Sequence, residues 1–144
     1  DLLGMRTSAR NALRGKITSV SCIDVSAQVG LLIAPGVELA ATLTRQSLED
    51  LGLEAGGDAT ALIKAGFVTL TQDPAAAPDC PNRIAGQVLS REDGANLSEV
   101  VLEIAAGKTL VISLSLAEAE ALNLQPGLSV WALIEAAQII LAVE

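Results

Sequence analysis

The chain has 144 residues, 51% of them hydrophobic, with one Phe, one Trp and no Tyr, which is enough for one ordinary domain or two very small ones around an aliphatic core. Nine Lys and Arg against 17 Asp and Glu give a formal charge of −8, which repels a polyanion, and the missing aromatic platforms leave nothing for bases to stack on, so this stretch does not itself grip nucleic acid. There is no His and only Cys22 and Cys80, which excludes the usual zinc frameworks and His-based triads and, with no nucleophile-and-base pair in evidence, a catalytic role.

In chain order, Asp1–Met5 reads as a tail cut from something longer. The stretch from Thr7 to Ile17 then places a hydroxyl (Ser8), a guanidinium (Arg10) and an amide (Asn11) close together, followed by Gly15 and the first residues of a strand. That arrangement suits an anion held where a loop enters a sheet. Val25, Ala27, Val29, Leu31 and Ile33 alternate as a half-buried strand, Gly36 reverses the chain, and Leu39, Ala41 and Leu43 form the returning strand of a hairpin. Thr44 to Gly52 has a capping hydroxyl in front and a glycine behind, which predicts a helix of two turns. Strands return at Ala59–Lys64 and Phe67–Thr71, and the prolines and small residues of Asp73–Asp79 mark a linker. The two cysteines have no spacing that calls for a bridge and read as reduced thiols in a cytosolic protein; no run approaches the ~18 apolar residues of a membrane span, and no signal peptide is recognised.

The same pattern then repeats. Asn11 and Gly15 recur as Asn82 and Gly86, and the offset of 82 − 11 = 71 carries Val29 onto Val100, Leu31 onto Leu102, Gly36 onto Gly107, Leu39 onto Leu110, Leu53 onto Leu124 and Leu70 onto Leu141 without a gap. Ser115-Leu116-Ala117-Glu118 is a capping box, Asn123 falls where Gly52 stood, and strands follow at Val130–Glu135 and Gln138–Val143. The expected fold class is all-β: two tandem five-stranded barrels of the oligonucleotide/oligosaccharide-binding type, each with one short helix between strands three and four. The expected boundaries are residues 1–73 for the first copy, 74–79 for the linker and 80–144 for the second copy.

Ser8-Ala9-Arg10-Asn11 followed by Gly15 and a strand, Thr44 at a helix start, and Lys64-Ala65 before the last strand resemble the molybdate-binding Mop domain, and the tandem copies resemble the di-Mop arrangement. The resemblance implies an oxyanion site for molybdate or tungstate built from Ser8, Arg10, Thr44, Ser47, Lys64 and the backbone N–H of Ala65. The residue types suit such an ion, because an unprotonated tetrahedral dianion only accepts hydrogen bonds and its pocket therefore needs donors and about two positive charges. Arg10 and Lys64 supply charge, and the three hydroxyls supply neutral donors. Taken singly, Thr44 and Ser47 are also ordinary capping residues, and Lys64 an ordinary solvated charge.

In the second copy, Ser8-Ala9-Arg10 becomes Asp79-Cys80-Pro81, Lys64 becomes Glu135 and Ser47 becomes Glu118, a set that repels an anion. One working site and one scaffold copy suit a sensor, so the expectation is the oxyanion-binding domain of a ModE-type molybdenum-responsive transcription regulator, with cytoplasmic molybdate storage by a molbindin as the alternative. The regulator reading implies that DNA is contacted only through a domain preceding Asp1. A homodimer is expected, because a barrel of about 70 residues buries little core alone. A sugar- or nucleic-acid-binding barrel is disfavoured by the absent aromatics and the acidic charge.

Overall fold

The computed structural model describes residues 8–144; Thr7 and the tail Asp1–Met5 lie outside the described residues. The strands are β1 (Asn11–Ile23), β2 (Ser26–Ala34), β3 (Val37–Thr44), β4 (Asp58–Ile63) and β5 (Thr69–Thr71), then β6 (Asn82–Asp93), β7 (Leu97–Ala105), β8 (Lys108–Ser115), β9 (Ser129–Ile134) and β10 (Ile140–Ala142). Helix α1 (Arg45–Leu51) lies between β3 and β4, and α2 (Leu116–Ala121) between β8 and β9, as the periodicity predicts. The strands form two antiparallel five-stranded sheets.

The first compact unit contains the chain up to Ile63 together with Glu135–Glu144, and its sheet runs β10-β4-β1-β2-β3. Alternation on β2 and β3 buries Ala27, Val29, Leu31, Ile33, Leu39 and Ala41, and Leu13, Ile17 and Ile63 are buried on β1 and β4. Val25 does not continue that face. It is 79% exposed in the β1–β2 turn, because Asp24 takes a left-handed conformation (φ 55) and reverses the chain there. Gly15 is not a loop glycine either: it lies inside β1, where a Cβ would collide with the backbone carbonyl of Leu32 on the neighbouring strand. The strand begins at Asn11 rather than beyond Gly15, and its register with β2 shifts between Ile17 and Ser19.

The second unit, Lys64–Ile134, has sheet order β5-β9-β6-β7-β8 and buries Val88, Val100, Leu102, Leu110, Ile112 and Ile134. Both helices carry the caps read from the sequence. Thr44 Oγ1 accepts from Ser47 N and Ser115 Oγ from Glu118 N, while Gly52 (φ 65) and Asn123 (φ 52) take the left-handed conformation beyond the last turn.

The compact units are not the sequence repeats. β5 pairs with β9 (Leu70↔Ala132) and β10 pairs with β4 (Leu141↔Ala61), so each sheet is completed by the last strand of the other copy. The strand expected over Phe67–Thr71 does not close its own barrel. A short turn, Ala65–Phe67, separates β4 from β5 and sends the chain onward instead.

Candidate oxyanion site

The donors expected in the first copy fall into two groups. The first is at the start of β1. There Asn11 is buried and its Nδ2 donates to the carbonyl oxygen of Ile63 at 3.2 Å, across the pair that ends the β1–β4 ladder. Arg10 and Lys64 are the next residues on the two strands beyond that pair, and both are exposed. Ser8, also exposed, is two residues further back. Lys64 has extended backbone (φ −70, ψ 136) and leads into the turn whose first residue is the buried Ala65; the Phe67 N–H closes that turn on the Lys64 carbonyl at 3.0 Å. The Lys64 ammonium lies 5.9 Å from the centroid of the Phe67 ring, within the range of a cation–π contact, and has no ion pair among the described residues.

The second group is at the start of α1. Thr44 Oγ1 accepts from the Ser47 N–H at 3.0 Å and donates to Ser47 Oγ at 2.9 Å, so the outward proton of the pair belongs to the Ser47 hydroxyl. Arg45, the next residue, is tied down by its N–H on the Val25 carbonyl (2.7 Å) and by Nη1 on the Asp24 carbonyl (3.3 Å). A cleft of about 260 Å³ opens beside Thr44 and Arg45, and Asp24 and Glu49 place carboxylates on its wall.

Within the first unit, Arg10 and Thr44 are set at different ends of β1. Thr44 pairs with Ser26 at the start of β2, and Ser26 pairs with Ile23 at the end of β1, whereas Arg10 precedes the first residue of β1. They stand at opposite ends of a strand whose contour, at about 3.3 Å per residue, is about 40 Å. Ser8, Arg10, Thr44 and Ser47 belong to the first unit, and Lys64 and Ala65 to the second, whose boundary falls just after Ile63.

Asn11, read from the sequence as part of the anion motif, has its amide committed to Ile63. Its counterpart Asn82 is likewise buried and donates to the Ile134 carbonyl at 3.0 Å. A signal for this was present in the sequence, since the asparagine persists in the copy that has lost every charged member of the motif. In that copy the buried Cys80 Sγ, with one proton to give, lies 3.4 Å from the Asn82 carbonyl and 3.5 Å from the Ile134 carbonyl, and Pro81 and Glu135 flank the pair where Arg10 and Lys64 flank the first. At α2 the Ser115 hydroxyl is closed onto the Glu118 carboxylate at 3.0 Å, which presents acceptors where Ser47 presents a donor.

The TOBE domain matches the chain twice, over residues 7–70 and 78–141. Among curated relatives, the molybdenum-pterin-binding protein MopB of Rhodobacter capsulatus is 39% identical over 143 residues, covering 97% of this chain and 52% of the relative. The DNA-binding transcriptional dual regulator ModE of Escherichia coli K12 is 37% identical over 139 residues, covering 96% of this chain and 52% of ModE. This chain thus spans about half the length of the curated relatives it matches. A crystal structure of the cytoplasmic molybdate-binding protein ModG with molybdate bound superposes with a TM-score of 0.92 at 33% identity, covering 97% of this chain and 100% of that one.

Proposed function

Because this chain belongs to the TOBE domain family and carries the domain twice, we propose that it binds molybdate or tungstate, with Ser8, Arg10, Thr44, Ser47, Lys64 and the Ala65 N–H as the donors. The observation that carries the reading is the charge pattern at matched stations. Two cations follow the Asn11–Ile63 pair, a proline and a carboxylate follow the Asn82–Ile134 pair, and the relatives named for molybdenum align over both copies. No acid, base or nucleophile in the set suggests turnover, so the role is binding rather than catalysis.

The two donor groups lie at opposite ends of β1, so one chain does not complete a shell of six donors around one ion from its first unit alone. A second copy can. In a two-fold dimer, Arg10 and Lys64 of one chain meet Thr44 and Ser47 of its partner, and symmetry repeats the arrangement, giving two ions per dimer and one per chain. This is the homodimer that the small size of each barrel also favours.

Storage or homeostasis of the oxyanion is the better-supported role, because this chain covers the whole of ModG, a molybdate-binding protein described as cytoplasmic. The sequence reading put the regulator's sensor domain first. That reading keeps the support of the ModE relatives and of the degenerate second copy, and under it DNA is reached through another part of a longer protein. Calorimetric titration with molybdate, tungstate, sulfate and phosphate, with sedimentation on the same sample, tests the proposal. Tight binding of the first two and weak binding of sulfate is expected; equal affinity for sulfate would reduce the site to a generic anion patch.

A further inference from the structure

The two copies also diverge on the outer face of their sheets, at a place unrelated to the oxyanion motif. In the second unit the register sets Glu103 opposite Gln87 and Gln87 opposite Ser129, one row across β7, β6 and β9. Trp131 follows Ser129 by two residues and so projects from the same face. With Gln72, these residues line a solvent-open groove of about 800 Å³. Its one charged side chain is Glu103. Gln72 Nε2 gives one N–H to the Leu122 carbonyl (2.8 Å) and Gln87 Nε2 gives one to the Gly127 carbonyl (3.1 Å), which leaves each amide one N–H and its oxygen; the Glu103 carboxylate, an acceptor only when ionised, has no hydrogen-bond partner among the described residues.

The matched place in the first unit is different in kind. Lys16 replaces Gln87, Asp58 replaces Ser129, Leu32 replaces Glu103 and Thr60 replaces Trp131. Lys16 Nζ meets Asp58 Oδ1 at 2.9 Å and Arg14 meets Glu144 at 3.5 Å, so the charges there satisfy one another. The second unit has lost those pairs and lines one groove with one of the chain's two aromatic residues and with a carboxylate that is unpaired among the described residues.

We infer that this groove is a second binding site, for a planar heteroaromatic ring whose edge presents paired N–H donors to Glu103 while its face stacks on Trp131. A carboxylate has two acceptor oxygens in one plane and matches two adjacent N–H groups of a flat ring. The indole supplies a stacking surface that the matched place in the first unit lacks, and such a stack contributes in the same range as a hydrogen bond. An oxyanion is refused by the same acceptors that favour an amino-substituted ring.

Guanosine is the probe, because its ring edge carries adjacent N–H and NH2 donors, and inosine is the control lacking the amino group. Trp131 is the only tryptophan, so its fluorescence reports on the full chain without a label. Saturable quenching by guanosine is expected below about 1 mM, with inosine and the Glu103→Gln variant each weakened by about tenfold or more. Molybdate titration of Glu103→Gln should match the parent, which separates this site from the oxyanion site. The inference is overturned if guanosine fails to saturate by about 1 mM, if inosine binds equally well, or if Glu103→Gln leaves guanosine affinity unchanged in a protein with parental circular dichroism. Calorimetry on Trp131→Phe, which keeps a ring, should retain weakened binding, whereas Trp131→Ala should lose it.

Discussion

Asn11 and Ile63 are joined twice, as cross-strand partners in the β1–β4 ladder and by the bond from Asn11 Nδ2 to the Ile63 carbonyl oxygen. The bond fixes the ladder's end one residue short of both Arg10 and Lys64. A buried amide cannot exchange this partner for water, so Asn11→Ala leaves the Ile63 carbonyl short of a donor and should cost about 1–3 kcal/mol of stability. Chemical denaturation checks this, and Asn82→Ala should cost a similar amount through Ile134. Molybdate affinity should fall in Asn11→Ala and hold in Asn82→Ala, since only the first pair is flanked by cations.

Gly15 and Gly86 sit where two strands approach too closely for a side chain. A Cβ on Gly15 would strike the Leu32 carbonyl, and one on Gly86 would lie 2.6 Å from Leu102 Cγ and 2.8 Å from the Glu103 carbonyl oxygen. Gly15→Ala must push backbone against backbone and should lower stability by about 1–3 kcal/mol or more, read as a drop in Tm. Gly86→Ala should be milder if Leu102 can change rotamer, because part of its obstruction is side chain.

Much of this was legible because local rules and the 71-residue offset agree. Thr44, Gly52, Ser115 and Asn123 behave as their side chains dictate, and the alternation of Val29, Leu31 and Ile33 settles which face of β2 is inside. The exchange of last strands was not legible, and the repeat itself is the reason. Leu70 on β5 and Leu141 on β10 are matched residues on matched strands, so either strand satisfies either sheet and pairing preference carries no information about which it joins. The sequence offers six candidate donors, but that Arg10 and Thr44 stand at opposite ends of β1 required the topology.

Asp58 and Asp93 give the acid limb of stability a defined sign. The hydrogen bond from Lys16, followed by its charge, holds Asp58 below the ordinary carboxyl value of 3.8, and the bonds from Arg91 and Ser98 do the same for Asp93. A carboxyl depressed in the folded state stabilises above its unfolded value and loses that contribution as pH falls through the folded value. Melting temperature should therefore show no contribution from these groups' titration between about pH 5 and 7 and should decline below about pH 4. Asp93→Asn should flatten that decline, whereas a curve identical to the parent's would remove the assignment.

Ser47→Glu transplants the second copy's residue into the first. The Ser115–Glu118 capping box shows that a helix of this length accepts Glu at that station, so α1 should persist, with unchanged circular dichroism. What changes is the sign of the group offered to the ion, from a hydroxyl donor to a carboxylate. Molybdate affinity should fall by more than about tenfold, or about 1.4 kcal/mol. Glu135→Ala, at the second copy's counterpart of Lys64, should leave it intact.

The separation of the donor groups along β1 makes a shared site testable by complementation. Arg10→Ala removes a cation from one end of β1 and Ser47→Glu spoils the hydroxyl pair at the other, so each variant alone should leave its sites largely empty at a molybdate concentration that just saturates the parent. If each ion lies between Arg10 of one chain and Ser47 of its partner, a mixed dimer has one site with both residues intact and one with both altered. Co-refolding the two variants should then restore binding, up to one ion per mixed dimer, measured by equilibrium dialysis. Molybdate should also raise the Tm of the mixture and of neither parent, because a ligand at about a hundredfold excess over its Kd adds about 2.7 kcal/mol to the folded state that holds it. If all six donors instead came from one chain, no mixture could bind, since every chain present would carry a lesion. Failure to restore binding, with mixed dimers demonstrated by sedimentation and mass, would therefore place the whole site within a single chain.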